Sequence, residues 1–139
     1  MSTEQNKALI RQQYEEIDRK GFANAVELLA QNFVAHLPGA PGPMNLEAFR
    51  QYAAAFDAGF PGYRHTIEDQ IAEGDKVVTR ITWHGTHTGN FQGLPPTGKQ
   101  VTMTAMNIHR IANGKIVEHR AEFDALGLMQ QLGVIPAMG

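Results

Sequence analysis

The chain has 139 residues, of which 42% are hydrophobic and 19% are charged, and its net charge at pH 7 is -2. This composition predicts one folded domain over residues 1–139 with its own core. The absence of cysteine excludes disulfides, thiolate metal sites and cysteine nucleophiles. There is no apolar run of the about 18 residues that a membrane span needs and no basic stripe for nucleic acid. We therefore expect a soluble, cytoplasmic protein with neither a membrane nor a nucleic-acid partner.

The N-terminal half of the chain shows helical periodicity. Ile10, Tyr14 and Ile17 recur at helical intervals, and Gly21 follows as a stop signal. In chain order we expect a first helix over residues 4–20, a short second helix near residues 24–29, a strand over residues 33–37 and a third helix over residues 46–59.

The C-terminal half alternates with the period of strands. Asn113 and Gly114 form the strongest short hairpin signal in the chain. We expect antiparallel strands over residues 63–73, 76–87, 99–112 and 115–124, followed by a helical turn or two over residues 125–132. The predicted fold class is therefore α+β: helices cover one face of a curved antiparallel sheet, and the cup that they enclose is the natural ligand site.

The Asn113-Gly114 turn predicts which side chains share a face of the last hairpin. If these two residues are the centre of the turn, Ala112 lies opposite Lys115 and the pairing continues in step. One face then carries polar groups that could meet a ligand, and His119 lies on the face opposite to His109. A bulge would shift this register, and a solvated ladder of charges is the alternative interpretation. The residues predicted to share the polar face are Met103, Asn107, His109, Arg120, Glu122 and Asp124.

Three further positions allow two interpretations each. Asp124 follows the last strand among apolar residues, where desolvation would raise its pKa and suit it to acid/base catalysis, although a helix N-cap is also typical there. His36 lies before a Pro- and Gly-rich loop and is either a ligand contact or a hydrogen-bonded structural histidine. Trp83 has the inward parity of Ile81 and is either core or an apolar pocket wall.

Several segments of the chain together resemble a known family. The chain is similar to the SnoaL-like polyketide cyclases of the ester cyclase type, whose fold is shared with ketosteroid isomerase and the limonene-type epoxide hydrolases. The segments that carry the resemblance are Phe33–His36, Glu73–Val77, Thr86–Gly89, Gly93–Lys99, Arg110, Gly114–Glu118, Phe123–Leu128 and Gln131–Gly133.

The resemblance implies a cone-shaped α+β barrel that closes a polyketide ester by an intramolecular aldol reaction, without metal or organic cofactor. It implies that Asp124 is the catalytic acid and base. Members generally carry Trp where this chain has Arg120, so a cation replaces an apolar wall. We expect Arg120 and His109 to assist Asp124 in catalysis. The expected substrate contacts are His36, Trp83, Met103, Asn107 and Glu122.

Two other functions remain open at this point. Arg120 with Glu122 could activate water in an epoxide hydrolase, although Ala121 stands where those enzymes have an acidic residue. The protein could also bind small apolar molecules without catalysis, because fold does not fix function. The expected ligand in each case is small and apolar, and under the cyclase interpretation it contains a carbonyl group. A sheet with two partly apolar faces further predicts a homodimer or higher homo-oligomer.

Overall fold

The computed structural model describes residues 2–136. No helix in that range is long and apolar enough to cross a membrane. The helices are α1 (Thr3–Lys20), α2 (Leu46–Gly59) and α3 (Ala125–Leu132). The strands are β1 (Leu29–His36), β2 (Met44–Asn45), β3 (Arg64–Glu73), β4 (Lys76–Thr86), β5 (Gln100–Ala112) and β6 (Lys115–Phe123).

Helix α1 begins and ends where its sequence signals lie. Ser2 and Gln5 form a reciprocal capping box, and Gly21 ends the helix with a φ of 89°. The apolar stripe of α1 is buried, and it includes Ile10 at 0% and Tyr14 at 5% exposure. The stripe faces the sheet, as an amphipathic surface helix must.

The short helix expected near residues 24–29 is wrong, because residues 21–28 form turns. The carboxylate of Asp57 on α2 accepts hydrogen bonds from the backbone N–H groups of Phe22 and Ala23 at 2.9 and 3.0 Å. These bonds satisfy the amides of the turn without a helix. A distant carboxylate therefore fixes the turn immediately before residues 24–29, and β1 already begins at Leu29.

The six strands form one sheet in the order β2-β1-β6-β5-β4-β3. Strands β3 to β6 are an antiparallel meander, as predicted, and β1 adds to β6 in parallel. Helices α1 and α2 pack on the concave face of the curved sheet. The α+β class, with a curved sheet wrapped around N-terminal helices, is thus confirmed.

A β-bulge in the last hairpin changes which side chains share a face. Next to the turn, Ala112 pairs with Lys115 as predicted, but the register shifts by one residue between Arg110 and Ile111. The extra residue is Val117 of β6, which lies between the paired positions Ile116 and Glu118. Because side chains alternate along a strand, this single extra residue moves every later β6 side chain to the other face.

The loop after β4 closes one end of the molecule against the end of α2. The backbone N–H of Gly89 donates to the Gly59 carbonyl at 3.1 Å. Phe91 then packs into an aromatic cluster, with ring centroids 5.1 Å from Phe56 and 5.0 Å from Phe60. The cluster continues to Trp83, which lines the interior of the sheet.

Candidate active site

An apolar cavity of about 80 Å³ lies between the two long helices and the concave face of the sheet. Its walls are mainly aromatic and aliphatic, and no Asp, Glu, Lys or Arg from residues 2–136 lines it. A cavity with such walls has few partners for a charge and strengthens the hydrogen bonds that form inside it. Its polar lining consists of Gln13, Tyr14, Tyr52, His65, Asn107, His109, His119 and the indole N–H of Trp83.

Tyr14 of α1 and Asn107 of β5 form a buried hydrogen bond in this cavity. The Asn107 Nδ2 donates to the Tyr14 hydroxyl oxygen at 2.6 Å. Burial raises the pKa of Tyr14, so the phenol keeps its proton at neutral pH. Since its oxygen already accepts from Asn107, the Tyr14 O–H is free to donate toward the cavity.

His109 of β5 and His119 of β6 lie side by side on the cavity wall. Their ring centroids are 4.5 Å apart and the rings are inclined by 33°. Burial lowers the pKa of His109 well below 6.5 and that of His119 to about 4. Both imidazoles are therefore neutral near pH 7, and each has one ring N–H to donate.

His65 of β3 borders the cavity and is held by a carboxylate of α1. Its Nδ1 lies 2.6 Å from the Asp18 Oδ1, and its backbone N–H donates to the Asp18 Oδ2 at 3.1 Å. The ring lies 5.1 Å from that of Tyr14, which also contacts His109 at 6.1 Å. Tyr14 therefore contacts both His65 and the histidine pair.

Several buried polar atoms in the cavity wall have no hydrogen-bond partner among residues 2–136. Unpaired buried donors and acceptors are uncommon, since each costs about 1–3 kcal/mol. Five such atoms on one apolar cavity are typical of a site that awaits a polar ligand group. They are the Gln13 Oε1, the Trp83 Nε1, the Asn107 Oδ1, the His109 Nδ1 and the His119 Nε2.

The structure brings four of the predicted site residues together. Met103, Asn107 and His109 alternate along β5 toward the cavity, and Trp83 joins them from β4 with 1% exposure. Met103, Asn107 and His109 share one side of β5 as predicted, and the structure turns that side toward the cavity.

The shared face predicted for His109, Arg120 and Glu122 is wrong. Arg120 and Glu122 lie exposed on the outer face of the sheet, because the bulge reverses the facing of β6. His36 lies beside them on β1, with its Nε2 3.3 Å from the Glu118 Oε2, and Arg120 lies 3.4 Å from that same oxygen. These residues line a separate outer groove.

Asp124 also lies outside the cavity. It is exposed and caps α3, where its Oδ1 accepts from the Gly127 N–H at 2.9 Å. The expectation that Asp124 is desolvated among apolar groups is therefore wrong. Its position in the chain is explained by the need of a helix N-terminus for an acceptor.

Four residues that lie at the cavity wall or directly behind it are not singled out by the sequence. His119 was assigned to the wrong face, since no pattern reveals the bulge. Tyr14 and Asp18 are one helical turn apart on α1, which is a detectable signal for two groups on one face. His65 lies two residues before Ile67 on β3, so alternation predicts that both side chains point to the same side of the sheet. The sequence does not predict that His65 pairs with Asp18.

The described part of the chain offers no metal centre. No group of three or more His, Asp or Glu side chains in residues 2–136 is placed to hold a metal ion. His109 and His119 lie side by side, but no third such side chain in residues 2–136 completes a group with them. The arrangement is suited to donating hydrogen bonds and moving protons.

These features define a class of protein: a small α+β fold whose curved sheet and helices enclose an apolar cavity with a few convergent polar groups. Comparison with known proteins agrees. The model of the SnoaL-like polyketide cyclases matches residues 8–132. The chain belongs to this family.

A curated relative is the aklanonic acid methyl ester cyclase DnrD of Streptomyces peucetius. It is 33% identical over 109 residues, which are 78% of this chain and 73% of the relative. IdmH of Streptomyces antibioticus, described as a candidate polyketide cyclase, superposes with a TM-score of 0.80 at 35% identity, covering 93% of this chain and 99% of that chain. AclR of Streptomyces galilaeus, described as a candidate hydroxylase, gives a TM-score of 0.90 at 25% identity, covering 99% and 87%.

Proposed function

We propose that this protein is a cofactor-free cyclase that closes a ring in a polyketide ester by an intramolecular aldol reaction. The family and the relative named as a methyl ester cyclase support this activity. The observation that carries the proposal is the apolar cavity in which neutral hydrogen-bond donors converge. We propose cyclisation rather than hydroxylation because the curated relative at 33% identity is a cyclase.

The reaction needs a place for negative charge on oxygen. Removal of a proton from the carbon between two carbonyls leaves an enolate, and ring closure then converts a second carbonyl into an alkoxide. Preorganised donors in an apolar site stabilise such charges strongly. Tyr14, His109 and His119 are the proposed donors, with Asn107 orienting the Tyr14 hydroxyl.

Neutrality of the histidine pair supports this role. A neutral imidazole gives a hydrogen bond to a carbonyl without adding a full positive charge to an apolar cavity. Burial keeps both rings neutral, as the lowered pKa values of His109 and His119 show. Trp83 and Met103 supply the apolar wall against which the substrate lies.

The size of the cavity bears on the substrate. Its volume of about 80 Å³ is well below the roughly 300–1,000 Å³ typical of ligand pockets. A polycyclic ester therefore requires movement of partly exposed wall residues, of which Phe22, Leu37 and Tyr52 are examples. A simple β-keto ester fits with less rearrangement and is the better first probe.

Asp124 remains a second candidate for the catalytic base, as the family resemblance implies. It is exposed, it caps α3, and it is not among the described residues that line the cavity. The epoxide hydrolase alternative has lost its geometric support, because Arg120 and Glu122 are on the outer face. A non-catalytic binder would use the same cavity and is separated from a cyclase only by turnover.

The test uses aklanonic acid methyl ester and the small probe methyl acetoacetate. Trp83 is the only tryptophan in the chain, so quenching of its fluorescence reports entry of either compound into the cavity. We expect ring closure of the larger ester, which product analysis should show as a compound of unchanged mass. We also expect faster α-proton exchange of the smaller ester in D₂O. Quenching with neither reaction would identify a binding protein.

We also propose that the protein self-associates as a homodimer or higher homo-oligomer. The outer face of the sheet keeps Ile71, Met106 and Ile108 exposed at 64%, 55% and 38%. Burial of this apolar face against a second copy would remove it from water. Sedimentation at micromolar concentration tests the idea, and a monomer at that concentration would contradict it.

A further inference from the structure

Among residues 2–136, His65 is the only side chain lining the cavity that is hydrogen-bonded to a carboxylate. The Asp18 carboxylate forms two hydrogen bonds with His65, one with the ring Nδ1 and one with the backbone N–H. The His65 side chain is 1% exposed, whereas that of Asp18 is 26% exposed. The imidazole is thus enclosed while its carboxylate partner keeps part of its hydration.

We propose that His65, oriented by Asp18, is the general base that removes the α-proton of the carbonyl substrate. This inference rests on the proposed function and names the group that moves its proton. Asp18 acts through His65 and is a positioning residue.

The reaction requires a base whose protonated form is stabilised by a neighbouring group. With Nδ1–H bonded to the Asp18 carboxylate, the neutral His65 ring has its lone pair on Nε2, which has no hydrogen-bond partner in residues 2–136. When Nε2 takes a proton, the imidazolium that forms lies directly beside a negative charge. His109 and His119 face each other without a carboxylate, so protonation of either is opposed by burial.

The proton balance closes within one turnover. The His65 Nε2 accepts the α-proton, and the electrons of the C–H bond pass to the carbonyl oxygen as the enolate forms. The enolate carbon then bonds to the second carbonyl carbon, and the new alkoxide takes the proton back from His65. The product is an isomer of the substrate, and no oxidant, reductant or leaving group takes part.

Matched variants test the assignment. His65→Asn should lower kcat for cyclisation and the rate of α-proton exchange by about 10²–10⁴-fold, with Trp83 quenching unchanged. Asp18→Asn should lower kcat with little change in KM, and Asp18→Glu should recover part of the loss. His84→Asn is the control, because His84 lies one residue from Trp83 on the other face and bonds the Thr66 hydroxyl.

A second measurement does not depend on turnover. Nitrogen NMR of the neutral His65 ring should show its proton on Nδ1, and Asp18→Asn should redistribute that proton toward Nε2. Methyl acetoacetate should shift the Nε2 signal. A proton on Nε2 of the neutral wild-type ring would overturn the proposal.

The failures of the two proposals are distinguishable. If the wild type cyclises the ester and His65→Asn does so within threefold of its rate, the base assignment is overturned and the cyclase function stands. If Asp124→Asn alone abolishes exchange, Asp124 replaces His65 as the base. If the wild type neither cyclises the ester nor accelerates exchange, the proposed function is overturned and this inference with it.

Discussion

The imidazole rings of His109 and His119 lie 4.5 Å apart on the cavity wall, at directly opposed positions of two antiparallel strands. Neither ring has a carboxylate within hydrogen-bonding distance in the described structure, and each keeps one buried ring nitrogen without a partner. The pair is thus held neutral by its surroundings. The position of this pair bears on the pH dependence of stability, on the hydrogen-bond donors in the cavity and on which β6 side chains face inward.

Neutral burial of the two rings predicts acid-sensitive folding. Their pKa values are about 6.5 in the unfolded chain and lower in the folded one, about 4 for His119. Between these values the unfolded state binds more protons, so the free energy of unfolding decreases as the pH falls from about 6.5 toward 4. The urea midpoint, measured at half-unit intervals of pH, should decline through this window.

The control for that slope is a matched pair of variants. His119→Gln removes one titrating ring and should flatten the decline, whereas His84→Gln, on the outer face, should leave it unchanged. The pKa of Glu16 is lowered by hydrogen bonds from Arg19 and Lys20, so its stabilising effect is complete above its ordinary pKa of 4.5 and it adds to the slope only below that pH. An unchanged slope in His119→Gln would contradict the assignment.

Removal of the Tyr14 hydroxyl should affect both stability and rate. Tyr14→Phe leaves the buried Asn107 amide without its partner, which should cost about 1–3 kcal/mol of unfolding free energy. It also removes one proposed oxyanion donor, so kcat should fall by about 10²–10³. Tyr52→Phe is the control, since Tyr52 lines the cavity without a side-chain hydrogen bond in residues 2–136. Equal rates for the two variants would exclude Tyr14 as a donor.

Asp124 substitutions separate a cap from a catalyst. Asn is as good an N-cap as Asp, so Asp124→Asn should unfold at nearly the wild-type urea concentration, while Asp124→Ala should cost about 1 kcal/mol. With the base at His65, turnover in Asp124→Asn should stay within a fewfold of wild type. Loss of turnover at full stability would instead support the role that the family resemblance implies.

The register shift in the last hairpin predicts opposite effects at neighbouring positions. Ala121 faces the cavity opposite Asn107, so Ala121→Leu should fill space, weaken Trp83 quenching and lower kcat/KM at least tenfold. Glu122→Gln, one residue further on the outer face, should leave kcat/KM unchanged. The reverse result would restore the register expected from the turn alone.

The contact of the β4–β5 loop with α2 depends on the absence of a side chain at Gly89. A Cβ there would overlap the carbonyl oxygen of Ala58, which cannot move without disturbing the end of α2. Gly89→Ala should therefore lower the free energy of unfolding by about 2 kcal/mol or more. Gly42→Ala is the control, because no atom lies within 4 Å of a Cβ at that position. A stable Gly89→Ala protein would mean that the loop can detach without cost.

The sequence alone determined the long elements, because their signals are local. The capping box at Ser2, the stop at Gly21 and the turn at Asn113-Gly114 each act within a few residues, and each lies where expected. Alternation within a single strand also predicted that Asn107 and His109 share one side of β5, although it did not say which side faces the cavity. Family membership was readable from motifs spread along the chain.

Tertiary structure decided what depends on distant partners. The Asp57 carboxylate fixes a turn at Phe22 and Ala23, just before the residues expected to form a helix, and a bulge in β6 between Ile116 and Glu118 turns His119 into the cavity and Arg120 out of it. The pairing of His65 with Asp18 joins residues 47 positions apart. Such pairings arise when the helices pack on the sheet, and one extra residue in a strand reverses every side chain beyond it, so no local pattern predicts them.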